Sequence, residues 1–221
     1  PPSVPDSVGM TMPLTLVGNG RVDTIAQWPL DRIRVRYADA ESQFIQPFSD
    51  TPRFTWSANG RYYGWIGRRA IDSSEPARVA VEIHDLLTPK RVLRYTIPYT
   101  PQALPDQAVD SFLSQIKSPG RQWPGLQDSV RRRLYRPKWL PAITNASIRD
   151  DGSLWIREPP PLGAKTAIWR IFSTAGVETS RFAVPAGFDV HSISGARLLG
   201  VVTDEDDVPR LVQYLTPPNG S

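Results

Sequence analysis

One β-strand phrase occurs twice in this chain and a third time more faintly. The first copy spans residues 58–98 and the second spans 150–185, and each has a turn, three short strand-like runs and a closing Pro. The faint copy begins at 194, and Gly195 follows Gly152 by 43 residues. Blades of β-propellers repeat every 40–45 residues or so and contain four strands. The repeat therefore predicts antiparallel β units that bury their faces by stacking on one another.

The composition agrees with many short strands and excludes several classes of protein. The 221 residues are 40% hydrophobic, and 23 Pro and 15 Gly punctuate the apolar runs, which predicts an all-β fold. The net charge of +4 is modest and lacks the dense basic stripe of a nucleic-acid-binding protein. The absence of Cys excludes disulfides and Cys-based metal or redox chemistry. No apolar run approaches the ~20 residues of a membrane-spanning helix.

The pattern divides the chain into five segments. Residues 1–13 are Pro-rich and predicted to be extended, and residues 217–221 form a tail. Two stretches of β-blades, 14–98 and 142–216, enclose a helical insertion at 99–141. The first stretch opens with what resembles an incomplete blade. The chain begins with Pro rather than Met, so we expect either a processed N-terminus or a portion of a longer protein.

The insertion is the strongest candidate for a contact surface. Apolar residues recur at helical spacing after Asp106, and a second short helix is predicted over 126–135. Trp and Arg are typical anchors of protein interfaces. The candidate interface residues are Trp123, Arg131, Arg132, Arg133, Arg136, Lys138 and Trp139. The alternative is a solvated basic helix face.

Metal and cofactor sites find little support. His84 and His191 are the only histidines and lack the spacing of metal ligands. The acidic run 204–207 lacks the alternating ligands and the Gly of a calcium loop, which favours a hairpin loop. We interpret Asp150-Asp151-Gly152 as a turn. The sequence therefore predicts no metal, no cofactor and no catalytic residue.

Two further sets of residues leave alternatives open. Glu82, Glu158 and Glu178 could serve glycoside chemistry only if the fold brought two of them together. Four tryptophans lie at positions that we interpret as equivalent in the blades, and core packing is the expectation, with a ligand cage as the alternative. These tryptophans are Trp56, Trp65, Trp155 and Trp169.

The second copy resembles the closing blades of a known family. The segments 151–156, 169–172 and 182–187 are similar to those of a bacterial six-bladed β-propeller family with relatives in the NHL and TolB-like groups. Members are often secreted or lipid-anchored, and some carry a helix before a late blade. The resemblance covers residues 50–216. It implies a periplasmic or extracellular protein, either free or attached to a membrane.

The number of repeats shapes the functional expectation. We count about four blades where a six-bladed member needs about six, so the expectation is an open or incomplete β-propeller-like array. An exposed end face would then suit a non-enzymatic, protein-binding accessory subunit docked onto a larger membrane-attached complex, such as one for electron transfer or photosynthesis. One alternative is a hydrolase or carbohydrate-binding propeller with its site at the channel mouth. Another is binding of an anionic surface through residues 131–138.

Overall fold

The fold is mostly β, which confirms the all-β prediction. The computed structural model describes residues 10–18, 21–30, 32–37, 40–49, 51–68, 77–88, 91–116, 125–161, 163–194, 197–203 and 208–215. Those residues form fifteen strands and two short helices. The chain divides into two compact units, one of Pro1–Thr51 with Ala103–Leu140 and one of Pro52–Gln102 with Pro141–Ser221.

The first unit begins with two separate hairpins rather than one incomplete blade. Strands β1 (Met10–Gly18) and β2 (Arg21–Leu30) pair antiparallel, and β3 (Arg32–Tyr37) pairs with β4 (Ala40–Ile45) in a second two-stranded sheet. Strand β1 thus starts inside the segment predicted to be merely extended. A two-stranded ribbon tolerates proline because each strand has an edge that donates no ladder hydrogen bond.

Both predicted helices of the insertion are present in the first unit. Helix α1 (Asp106–Gln115) begins with an acidic residue, which favours a helix N-terminus, and α2 (Leu126–Arg133) follows a left-handed Gly125. Each helix buries two residues spaced four apart on one face. Their core residues are Val109, Leu113, Leu126 and Val130, which cluster with Ile33 and Val35 of β3.

The buried Gln46 fixes the end of α2 within this unit. Its side-chain amide donates to the carbonyl of Arg133 at 3.1 Å and accepts from the backbone N–H of Tyr135 at 3.0 Å. Carbonyls in the last turn of a helix lack partners within the helix, so Gln46 supplies one.

The second unit contains three antiparallel sheets in chain order. Sheet I consists of β5 (Arg53–Trp56), β6 (Tyr62–Arg68), β7 (Arg78–Asp85) and β8 (Val92–Pro98). Sheet II consists of β9 (Asn145–Ile148), β10 (Leu154–Arg157), β11 (Thr166–Phe172) and β12 (Glu178–Pro185). Sheet III consists of β13 (Asp189–Ser194), β14 (Arg197–Thr203) and β15 (Pro209–Leu215). Consecutive strands are neighbours in every sheet, as the repeat predicts.

Sheet II is covered on both faces, by sheet I on one side and by sheet III on the other. Alternate residues of each strand point to these two sides. On one face Leu154, Ile156 and Phe172 pack against Ile66 and Val81 of sheet I. On the other face lie residues that cluster with sheet III: Trp155, Ala167, Trp169, Ile171 and Val184, with Phe188 and Leu198 opposite them. Sheets I, II and III thus stack face to face through two apolar cores.

The repeated turns have the same local structure in sheets I and II. Gly60 and Gly152 both adopt left-handed φ values, 70° and 83°, between the first and second strands of their sheets. Glycine reaches this conformation without the steric cost that other residues incur. The backbone N–H of Asn59 donates to the Asp150 carboxylate at 2.9 Å, so the two turns also contact each other.

The prediction that all four tryptophans pack in the core is wrong for two of them. Trp155 and Trp169 are fully buried between sheets II and III. Trp65 is half-buried and Trp56 is 62% exposed. In β6 the residues that face sheet II are Tyr62, Gly64 and Ile66, so the alternation of the strand turns Trp65 to the opposite face. Trp155 likewise points away from the interface between sheets I and II, so what differs is the cover of that face. Sheet III packs on Trp155, whereas no described sheet of the second unit packs on Trp65.

Candidate functional site

The predicted basic surface lies on and after α2, and two of its five cations are paired with carboxylates. Arg131 contacts Asp110 at 2.8 Å, and Arg136 contacts Asp106, so two cations pair with carboxylates of α1. All four of these side chains are well exposed, and exposed ion pairs are worth less than about 1 kcal/mol each. The pairing leaves this segment with less unbalanced charge than its sequence indicates.

The other predicted interface residues have local partners. Arg132 and Arg133 donate to the hydroxyl and the carbonyl of Ser129, at 3.3 and 3.2 Å. The Lys138 ammonium lies 4.9 Å from the centre of the Trp139 ring, and Trp139 forms a β-bridge with Ala103. Trp123 lies outside the described residues, as does the acidic run 204–207.

Two of the three candidate carboxylates converge, and a buried arginine holds both. The Arg170 side chain is 6% exposed and contacts Glu158 at 3.0 Å and Glu178 at 2.6 Å. It also donates to the carbonyl of Pro98 at the end of β8, 3.1 Å away. The Arg170 guanidinium of β11 therefore joins the ends of three other strands, β8, β10 and β12, and this network links sheets I and II.

The electrostatics of this network keep Glu178 ionised. Burial raises the pKa of Glu178, but hydrogen bonds from Arg181 and Arg170 outweigh that effect, and the pKa lies below its usual value. A glycosidase acid needs a raised pKa so that it can donate a proton at neutral pH. Glu178 has the opposite shift, which suits a structural ion pair better than a general acid.

The third carboxylate, Glu82, belongs to a separate polar row on the face of sheet I that points away from sheet II. Glu82 Oε1 lies 2.7 Å from His84 Nε2, and Glu82 Oε2 accepts a hydrogen bond from Arg94 Nε at 2.8 Å. The hydrogen bond from Arg94 is the main reason why the pKa of Glu82 lies below its usual value, and His84 adds to it. His84 also stacks on Tyr63, with ring centres 4.8 Å apart.

Aromatic rings surround this polar row. The ring of Phe54 lies 4.6 Å from Trp65, 5.8 Å from Trp56 and 6.2 Å from Tyr63, between ring centres. Four aromatic side chains therefore lie together on one sheet face, and such rings supply large apolar contact areas. Sequence reasoning missed this set because it assigned the tryptophans to the core.

A groove of about 580 Å³ lies beside these rings. Its lining includes Trp65 and Pro52, the small residues Gly67 and Ala80, and the polar groups of Glu82, Arg94 and Thr96. Ligand-binding pockets commonly have volumes of about 300–1,000 Å³ and combine apolar walls with a few polar groups. The groove has both properties, and all of its described lining residues belong to the second unit.

Sheet III presents an aliphatic face on the side away from sheet II. Leu198 and Val212 point toward sheet II, so the alternation turns their neighbours outward. Leu211 and Leu215 are 72% and 70% exposed, and Leu199 of the adjacent strand is also exposed. With the half-buried Val201, they form the outer strip of sheet III, in which Gln213 lies opposite Leu199 and Arg197 lies opposite Leu215. Contiguous exposed apolar residues on a sheet mark contact surfaces more often than scattered ones do.

The two histidines have ordinary polar surroundings. His191 is exposed, and its Nε2 lies 3.8 Å from Asp189. Within the described part of the chain, no three His, Cys, Asp or Glu side chains cluster as metal ligands would. Asp151 accepts hydrogen bonds from the backbone and the hydroxyl of Ser153, as expected of a turn.

Comparisons with known proteins do not extend this description. No protein-family model matches the chain, and a search of curated proteins finds no sequence with significant similarity. Neither described helix has the length and apolar character needed to cross a bilayer.

Proposed function

We propose that the protein is a β-propeller-like, non-enzymatic protein-binding module that docks through the outer strip of sheet III. The single observation that carries the proposal is the contrast between sheets II and III. Sheet II buries both faces between neighbouring sheets, whereas sheet III has aliphatic residues on both faces and buries one. The outer face also carries exposed polar side chains, Arg197 and Gln213 among them, so the aliphatic strip has the polar surroundings that are typical of protein interfaces.

The chemistry of the strip defines the partner. The four aliphatic residues of the strip lie on two adjacent strands and offer no hydrogen-bonding side chain. Gln213 and Arg197 on the same face supply the polar groups beside them. Sheet faces pack about 10 Å apart when aliphatic side chains interdigitate. The matching occupant is therefore an apolar sheet or helix face of another protein, and an ionic or sugar ligand is a poor match.

The wider assignment follows from the family resemblance. A propeller-like array with a docking face suits an accessory subunit of a larger, membrane-attached complex outside the cytoplasm. The fold supports the array through its face-to-face stack of meander sheets in chain order. The hydrolase alternative is weakened, because Arg170 pairs with both of the converging carboxylates, Glu158 and Glu178.

Site-specific photo-crosslinking tests this proposal. We would place a photoreactive residue at Leu211 and, as the control, at Val177, which is also well exposed but lies in the turn between β11 and β12. Each variant would be produced and irradiated in cells that naturally make the protein. We expect one discrete adduct with a different protein from position 211 and none from position 177.

Three results would contradict the proposal. One is the absence of any adduct from position 211, and another is the same set of adducts from both positions. The third is an adduct only with a second copy of this chain, because that would make the strip a self-association surface. Mass spectrometry of the crosslinked peptide distinguishes these outcomes.

A further inference from the structure

We propose that the groove on sheet I binds an acidic oligosaccharide, with Arg94 pairing a uronate carboxylate and Trp65 supporting a sugar ring. The groove and the outer strip of sheet III lie on different sheets and have different chemistry. This inference therefore stands or fails independently of the protein-binding function proposed above.

The strand register explains the shape of the groove. Trp65, Glu82 and Arg94 stand side by side on β6, β7 and β8, and Gly67, Ala80 and Thr96 form the next row along the same strands. Two small residues in the second row leave a trough beside the larger residues of the first. A Cβ atom at Gly67 would lie 2.9 Å from the Cβ of Pro52, so glycine is needed for Pro52 to close the end of the trough.

The charges beside the trough favour an anionic ligand. Arg78 reaches Thr96 at 3.1 Å from one side, and Arg94 stands on the other. Among the described residues that line the groove, Glu82 is the only carboxylate, and its two oxygens are engaged by His84 and Arg94. Among the described residues of this face, two arginines and one paired carboxylate give a positive balance, which attracts negative groups.

Arg94 is held in place and still has donors available. Its Nε is used by Glu82, and no other hydrogen bond of Arg94 is formed among the described residues. The side chain is 68% exposed, so its two terminal amino groups can reach a ligand. Planar guanidinium groups bind carboxylates through two parallel hydrogen bonds, and prior anchoring reduces the entropy lost on binding.

The spacing of the two anchors selects an oligosaccharide over a small anion. Trp65 and Arg94 are separated by one strand, and adjacent strands lie about 4.8 Å apart, so the anchors are roughly 10 Å apart. A chain of linked sugar rings can span that distance and contact both anchors, whereas a single small anion cannot. The C–H face of one ring packs on the indole while the carboxylate of the next reaches Arg94. A neutral sugar would use only the indole, and a free carboxylate would use only the arginine.

Isothermal titration calorimetry with trigalacturonate tests the inference on the full chain. Ala80→Leu fills the trough without changing any charge, and we expect it to abolish binding. Arg94→Gln removes one charge-assisted pair, which is worth about 1.5–3 kcal/mol, so we expect a loss of affinity of roughly 10–100-fold. Arg197→Gln removes an equal charge from β14 of sheet III and should leave the affinity unchanged.

Several outcomes would overturn the inference. These are no saturable binding of trigalacturonate, equal binding of neutral maltotriose, or equal binding of inorganic phosphate. Undiminished binding by Ala80→Leu would place the ligand elsewhere, provided that circular dichroism shows both proteins to be folded alike. An equal loss in Arg94→Gln and Arg197→Gln would indicate attraction by net charge alone.

Discussion

Sheets I and II contain the two clear copies of the same sequence phrase, yet their surroundings differ. Both have four strands in consecutive order and a left-handed glycine in the first turn. Sheet II buries both faces, whereas sheet I has aromatic and charged residues on the face away from sheet II. The repeat therefore encodes the path of the strands, and the residues on each face determine what that face contacts.

Truncation of the tryptophans should give the largest difference in the free energy of unfolding, because their burial differs most between the two sheets. Trp169→Ala in sheet II would leave a large cavity between two sheets, and we expect the free energy of unfolding to fall by about 4 kcal/mol. Trp56→Ala in sheet I should lower it by less than about 1 kcal/mol, since that side chain is mostly exposed. Urea denaturation measures both. Equal losses would show that the two sheets are covered alike.

Loss of the buried Arg170 should have the next largest effect on the free energy of unfolding. Arg170→Met would leave Glu158 and Glu178 without their shared cation, and we expect a loss of about 3 kcal/mol in the free energy of unfolding. The matched variant is Arg181→Met, because Arg181 also contacts Glu178 but is exposed. We expect that change to cost less than about 1 kcal/mol. If the two variants were equally stable, Arg170 would not join the sheets.

The turn glycines should give a smaller difference between the copies. Alanine at either Gly60 or Gly152 must adopt a left-handed conformation, which costs about 1–2 kcal/mol. A Cβ at Gly152 would also lie 3.2 Å from both Thr174 and Tyr62, whereas one at Gly60 meets no atom within 4 Å. We therefore expect Gly152→Ala to lower the thermal unfolding midpoint more than Gly60→Ala does. The reverse order would contradict the packing between these turns.

The stability difference between the wild type and Arg170→Met should depend on pH. The folded-state pKa of Glu178 is depressed, so its contribution to stability is present above the unfolded value of roughly 4.3 and is lost as the pH falls through the folded value. We expect the stability difference between the wild type and Arg170→Met to shrink over that acidic range. Urea denaturation at a series of pH values measures it. A difference that stays constant down to acid unfolding would argue that Arg170 acts through packing alone.

Much of the fold could be predicted, because turns and strand alternation are local properties. The Asn59-Gly60 turn, the strands of sheet II and the start of α1 at Asp106 follow from glycine, proline and apolar spacing. The exposure of Trp56 and Trp65 could not be predicted, since strand alternation shows which residues share a face but not which faces another sheet covers. The Glu82–Arg94 pair depends on the pairing of β7 with β8, and single-strand patterns do not show cross-strand neighbours.

The smallest expected effect on stability is at the outer strip of sheet III. Leu211→Ser should change the free energy of unfolding by less than about 0.5 kcal/mol, since the side chain is mostly exposed. The same change should greatly reduce co-purification of the partner that the crosslinking identifies, if the strip is the docking face. A large loss of stability would instead assign the leucine to the core.

Cysteine labelling tests the central claim that sheet III offers a docking face. The chain has no Cys, so Leu211→Cys and Ala167→Cys each introduce a single reactive site. In the purified protein we expect maleimide to label position 211 rapidly and position 167, which is fully buried, slowly. In cells that naturally make the protein, position 211 should become protected as the partner covers it. Equally fast labelling of position 211 in cells and in the purified protein would contradict the claim.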